Sequence, residues 1–354
     1  MTNALDQSAN TGTVPVRDGQ GFDEAALAGW MAAHVADFAG PLRVEQFSGG
    51  QSNPTYRLAT PKTNYVLRRK PPGRLLQGAH DVLREARVLS ALAATQVPVA
   101  GVRGVCADET IIGTPFFVME LVEGRIFWDA TFPDVSTAAR GRYFDAMNAT
   151  LAALHSVDYA AIGLSGFGRP GNYFARQIAR WTRQYLEDAD AGRDAEMDAL
   201  IEWLPDNIPL GDETSIVHGD FRCDNLIFHP TEPCAVLDWE LSTLGHPLAD
   251  FAYHATMYRM PPDIVAGLQG AQISALGIPS EAEYVAAYCA RTGRAAIPDY
   301  DFYIAFNFFR LAAIFHGIKG RVLRGTAASA HARERAASFP RLVRLAREAM
   351  ENCR

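Results

Sequence analysis

Cysteine is sparse in this sequence: five residues in 354, an odd number with neither close pairing nor metal-ligand spacing. That excludes a disulfide framework and fits reduced thiols, so a cytoplasmic location is expected. A basic excess is also missing. Lys and Arg number 33 against 40 Asp and Glu, and the net charge of -7 gives no broad field to attract nucleic acid or an anionic membrane; neither is expected as a partner. Nor is there a long apolar run. FNFFRLAAIFHGI at 306–318 is broken by Arg310 and His316 and is too short to span a bilayer, so it reads as a core helix. The first twenty residues, MTNALDQSANTGTVPVRDGQ, lack an apolar core flanked by basic residues, which predicts a loose tail over 1–20 and neither a signal peptide nor an anchor. Internal repeats and low-complexity linkers are absent as well.

What is present is ordinary globular composition, 48% apolar and 21% charged, in a chain longer than one average domain. Between about 22 and 40, Leu27, Trp30, Met31, Val35 and Phe38 recur at helical spacing behind Asp23, a capping residue. Short β-like runs follow, VEQF, TYRLAT and NYVLRRK, separated by the turn-forming SGGQSNP and PKT. An amphipathic helix is predicted over 79–94, then a β-rich run in TPFFVMELVEG at 114–124. Helical patterns dominate beyond it, at 136–156, roughly 172–203, 281–292 and 301–350. The expected class is α+β: a small antiparallel-sheet N-lobe over 21–118, a hinge at 119–124, and a larger, mainly helical C-lobe over 125–354.

The chemistry concentrates in SIVHGDFRCDNLIFHPTEPCAVLDWELSTLGHPLADFAYH. SIV leads into His218, Gly219 and Asp220; LIF follows Asn225; AVL leads into Asp238, Trp239 and Glu240. A hairpin here would bring Asp220, Asn225 and Asp238 together. Two carboxylates and an amide suit Mg²⁺, which takes one or two protein carboxylates and fills its remaining positions with water and nucleotide phosphates. With Asn225 and Asp238 on the metal, Asp220 is left to accept a proton from a hydroxyl attacking a γ-phosphate.

Asn225 lies five residues after Asp220, and Asp238 thirteen after Asn225. With that spacing the segment resembles the aminoglycoside phosphotransferase and choline kinase branch of the protein-kinase-like fold. HGD stands for HRD, and DWE for DFG. The resemblance implies a bilobal kinase-like fold and transfer from ATP or GTP to a hydroxyl of a small molecule. It also implies Mg²⁺ as cofactor and a bracing role for His218. Asp250, in HPLADFAYH, resembles the buried acid that holds the catalytic-loop backbone, a role compatible with a helix N-cap. Glu240 replaces the metal-loop glycine and is either near a second metal position or the substrate, or a solvated turn residue.

Upstream, Gly49, Gly50, Gln51 and Ser52 in SGGQSNPTYRL resemble the phosphate-covering loop, although Asn53 and Pro54 stand near the third glycine of the protein-kinase pattern. Aligning VLR with the VAIK pattern makes Arg68 the phosphate clamp. Alternation sets Arg69 on the opposite face, as a solvated strand end. Glu85 shares the inward stripe of its helix with Val82 and Leu89 and needs a partner there; Arg68 is the one the resemblance supplies. Main-chain groups around Glu120 and Leu121 would meet an adenine ring at the hinge.

Through GGQSNPTY, VLRRKPPG and HGDFRCDNLIFHP the resemblance narrows to kinase-like domains found alone in bacteria or fused to acyl-CoA dehydrogenases. A hydroxyacyl-CoA or hydroxy acid is therefore the candidate acceptor, ahead of an aminoglycoside, in a monomer or homodimer. Three rivals remain: a protein kinase, disfavoured by HGD, DWE and the lack of an APE-type segment; a nucleotide-binding pseudokinase or regulatory module; and a metal-dependent hydrolase using His218, Asp220, His246 and His254.

Overall fold

The computed structural model describes residues 12–48, 53–71, 81–327 and 331–353. The chain divides into two compact units. One holds the residues up to Ile126 with Ala161–Leu164 and Leu226–Ser242, and the other holds Phe127–Ala160, Ser165–Asn225 and Thr243 onward.

In the first unit, strands β1 (Thr13–Val14), β2 (Arg43–Phe47), β3 (Thr55–Ala59), β4 (Asn64–Arg69), β5 (Val102–Cys106) and β6 (Phe116–Glu120) form one antiparallel sheet in the order β1-β2-β3-β4-β6-β5. Helix α1 (Glu24–His34) starts where expected, because the Asp23 carboxylate accepts the Ala25 and Ala26 N–H groups. Its Leu27, Trp30 and Met31 pack with Tyr56, Leu58, Leu67, Phe116 and Val118 of the sheet in one buried cluster. β5 was not expected from its sequence, since Gly104 interrupts it. The glycine is needed there: a Cβ at that position would stand 2.9 Å from the Trp30 ring. Of the residues read as a loose tail, those from 12 on are tied down. Thr13 pairs with Phe47, and the Gln20 carbonyl accepts from the Tyr56 hydroxyl. Residues 1–11 lie outside the described set.

Helix α2 (Val82–Leu92), capped by Asp81, carries Val82, Glu85, Ala86, Val88, Leu89 and Leu92 on its buried side. Arg69 corrects the sequence reading. It is buried, lies 5.0 Å over the Phe22 ring, and donates to the carbonyls of Gln20 and Ile112. Alternation gave its face but not its surroundings; the Phe22 and Tyr56 rings lie against the guanidinium there.

The second unit is mainly helical: α3 (Thr137–His155), α4 (Tyr173–Glu187), α5 (Ala195–Asp206), α6 (Pro247–Ala255), α7 (Glu281–Arg291), α8 (Tyr300–Leu323) and α9 (Ala332–Asn352). The span read as one helical stretch over 172–203 is two, since Asp194 caps a new start at α5 by accepting from Glu196 and Met197. The apolar run at 306–318 is the buried body of α8, with α9 packed along it. In α8, Arg310 donates to the Gly219 carbonyl and His316 bonds the Gly192 carbonyl.

Among the described residues there are also four short strands, β7 (Ser215–Val217), β8 (Leu226–Phe228), β9 (Pro233–Val236) and β10 (Thr243–Gly245). LIF and its partner CAV pair as the hairpin β8-β9. SIV pairs elsewhere, in the second unit, with TLG of β10.

Candidate active site

The loop after β7 is built around a turn that only glycine adopts easily: Gly219 has φ +85°. Asp250, in the first turn of α6, closes it. Its Oδ2 accepts the His218 N–H at 2.6 Å and its Oδ1 accepts the Gly219 N–H at 2.8 Å. The N-cap of α6 is His246 rather than Asp250. His155 of α3 approaches Asp250 through Nε2 at 3.2 Å and reaches the Tyr288 hydroxyl with Nδ1. Burial works to raise the Asp250 pKa, but His155 and the loop N–H groups outweigh it and hold the carboxyl below its usual value. His218 is fully buried, and its Nδ1 accepts from the Asp220 N–H.

Asp220 is partly exposed at the end of this loop. Asn225 Nδ2 donates both to its main-chain carbonyl at 2.8 Å and to its Oδ2 at 3.1 Å. The five-residue spacing therefore closes a small ring in which the amide fixes loop and carboxylate together. Arg222 Nε stands 3.4 Å from Asp220 Oδ1, while its Nη2 donates to Asp224. The Tyr253 hydroxyl donates to the same Oδ1.

In the first unit a second polar cluster surrounds Arg68. Its Nε lies 3.0 Å from Glu85 Oε2, and its Nη2 donates to Asp238 Oδ1 at 2.7 Å with Glu240 Oε2 at 3.9 Å. Asn53 donates to Glu85 at 2.8 Å and to Glu240 at 3.4 Å. Asp238 is held at φ +61°, a left-handed conformation that a non-glycine residue keeps only where its surroundings fix it. Beside it Trp239 is buried and donates to the Val236 carbonyl.

Three carboxylates thus share one guanidinium. Burial pushes the Glu85 carboxyl up to about 7; Arg68 opposes the shift, Asp238 and Glu240 add to it, and the Asn53 amide opposes it. The folded protein therefore holds a proton on Glu85 between the ordinary 4.5 and about 7, where the unfolded chain does not. Stability from this group is present at the acid end of that window and is lost as pH rises through it. Wild-type melting temperature should fall from about pH 5 to about pH 8 more steeply than that of Glu85→Gln, in which the slope from this position is removed. Parallel melting curves for the two would contradict this.

The negative surplus bears on a divalent cation. Carboxylate oxygens of Asp238 and Glu240 around a single guanidinium leave charge that a hard cation would balance. In the second unit, both hydrogen bonds given above for Asn225 use its Nδ2 and not its amide oxygen. The residues present fit Mg²⁺.

Other expected positions stand as follows. Gly49, Gly50, Gln51 and Ser52 lie outside the described residues. The Glu120 N–H donates to the Gly101 carbonyl at 2.9 Å, so it is not a group that a nucleotide base would meet; Leu121 follows directly after β6. The histidine-rich hydrolase site does not assemble. His254 bonds the Phe221 carbonyl and the Tyr284 hydroxyl, His246 caps α6, and burial lowers both to about 4. Among the described residues no group of three or more His, Cys, Asp or Glu side chains could hold a metal ion by itself. Sequence reasoning missed Tyr253, Arg222, His155 and Arg310. Tyr253 had a usable signal, since it lies three residues after Asp250 on one helix and so shares its face.

A family model described as the phosphotransferase enzyme family matches residues 43–306. The chain belongs to that family. It is 49% identical to a crystal structure from Ralstonia eutropha named for the aminoglycoside phosphotransferases, with a TM-score of 0.87 over 94% of this chain and 99% of that one. A choline kinase from Cryptosporidium parvum shares the fold at 11% identity and a TM-score of 0.63, covering 93% of this chain and 97% of that one. The protein-kinase-like fold expected from the motifs is the fold of this phosphotransferase. Among curated proteins, acyl-CoA dehydrogenase family member 10 of Mus musculus is 44% identical over 91% of this chain and 30% of its own length. Family member 11 of Gallus gallus is 42% identical over 96% of this chain and 44% of its own length. The phosphotransferase chain spans less than half of these relatives. Among the described residues, no helix is long and apolar enough to cross a membrane.

Proposed function

We propose that this phosphotransferase is a small-molecule kinase that moves the γ-phosphoryl group of ATP to an acceptor hydroxyl. The observation that carries the reading is the Asp220 loop. Its carboxylate is held by the Asn225 amide, and its backbone is held by Asp250, as a base must be to meet an incoming hydroxyl. In the mechanism, Asp220 takes the hydroxyl proton as the oxygen attacks in line. Asn225 and Asp238 would hold Mg²⁺, which when bound would neutralise charge on the phosphate oxygens. Arg68, aligned by Glu85, grips the phosphate oxygens through its guanidinium. Main-chain groups around Leu121, just after β6, are the ones this reading assigns to the nucleotide base.

Support for the acceptor class comes from the relatives, which are named acyl-CoA dehydrogenase family members and carry sequence beyond the part shared here. A hydroxyacyl-CoA or a free hydroxy acid is the acceptor to try first. The test is a metabolite screen with ATP consumption as readout, run on wild type and Asp220→Ala together. Consumption stimulated by a hydroxylated acid or thioester in wild type alone is the expected result. Stimulation by protein substrates, or equal stimulation in both proteins, would overturn the reading.

A further inference from the structure

Helix α6 grips three consecutive residues of the active-site loop with two of its side chains, one turn apart. Asp250 takes the N–H groups of His218 and Gly219, and Tyr253 gives its hydroxyl to the carboxylate of Asp220. The tyrosine is itself fixed. It is 7% exposed, and the Arg310 guanidinium lies 5.2 Å over its ring while donating to the Gly219 carbonyl at 2.9 Å. Burial, followed by the neighbouring Asp220 charge, raises the phenol pKa, so the hydroxyl keeps its proton and acts as the donor.

The two oxygens of Asp220 are therefore treated differently. Oδ1 faces the Tyr253 hydroxyl with Arg222 Nε at 3.4 Å, whereas Oδ2 meets only the more distant Asn225 amide at 3.1 Å among the contacts described above. A carboxylate oxygen that already accepts a strong, buried hydrogen bond is a poor proton acceptor, and its fixed position dictates where its twin points. We infer that Tyr253 is a positioning residue for phosphoryl transfer: by fixing Oδ1 it makes Oδ2 the oxygen that receives the acceptor's proton. The inference rests on Asp220 being the base.

Tyr253→Phe tests it, because the variant keeps the ring under Arg310 and removes only the hydroxyl. The slow hydrolysis of Mg·ATP, with water as acceptor, is the assay, so no acceptor need be known. Two controls run beside it. Tyr284→Phe removes another buried hydroxyl, one that bonds His254 at 2.7 Å and does not touch Asp220. Asp220→Asn removes the base. The expected result is a kcat lowered on the order of tenfold to a hundredfold in Tyr253→Phe, with KM for Mg·ATP and melting temperature unchanged. Tyr284→Phe should keep kcat, and Asp220→Asn should be inactive. Wild-type kcat in Tyr253→Phe beside an inactive Asp220→Asn would overturn the inference and leave the proposed function standing. A Tyr253→Phe that loses melting temperature and kcat together would show a packing role and overturn it too. An active Asp220→Asn would sink the assignment of the base, and this inference with it.

Discussion

Asp220→Ala is expected to lower phosphoryl transfer by about 10²- to 10⁴-fold, the span that a positioned general base contributes, while leaving the affinity for Mg·nucleotide unchanged. The carboxylate makes no contact that binds nucleotide in this account; its partners are Asn225, Arg222 and Tyr253. Its removal deletes the proton acceptor and leaves the loop backbone intact, since that backbone is held from Asp250. In kinetic terms kcat falls with KM for Mg·ATP constant, the signature of an interaction made in the transition state alone. Steady-state kinetics of the wild type and the variant, once an acceptor is in hand, give the answer directly. A loss confined to KM would place Asp220 in binding instead.

The largest stability effect should come from Asp250. Its carboxylate is buried, accepts two main-chain N–H groups, and faces His155 at 3.2 Å. Asp250→Asn keeps the shape but offers one acceptor and one N–H pair, so one loop amide meets a donor instead of an oxygen. Breaking a buried charged network by changing one partner costs about 3–5 kcal/mol. The second unit should lose about that much by denaturant unfolding, with the His218 and Gly219 amides exchanging their hydrogens faster than in wild type. Catalysis should fall as well, because those amides fix the loop that carries Asp220. An Asp250→Asn protein with wild-type stability and slow exchange at both amides would contradict the account.

The elements that position the site were legible where a local signal exists. Asp23 announced the start of α1, and NYVLRR announced β4. The inward stripe of α2 placed Glu85 where its ion pair with Arg68 is found. The signals failed where tertiary context decides. Arg69 was read as solvated because alternation names a face without naming what covers it. β5 was hidden because its Gly104 answers to Trp30, far away in sequence. The break between α4 and α5 was written in Gly192 and Asp194, a stop followed by a cap, but helical periodicity on both sides masked it. Strand pairing was the least legible part. Nothing in SIV distinguishes TLG from AVL as a partner, and the antiparallel pairing with β10 joins segments nearly thirty residues apart. The contact from Tyr253 to Asp220 spans 33 residues and joins a loop to a helix, and its one local signal is the helix face that Tyr253 shares with Asp250.

The division of labour between Asp220 and Asp238 is the centre of the account, and binding calorimetry of Mg²⁺ with a non-hydrolysable ATP analogue tests it most directly. Wild type and Asp220→Ala should bind the complex alike, and Asp238→Ala should bind it at least tenfold more weakly, as loss of a metal ligand requires. Equal affinity in all three proteins, or a loss in Asp220→Ala matching that in Asp238→Ala, would contradict it.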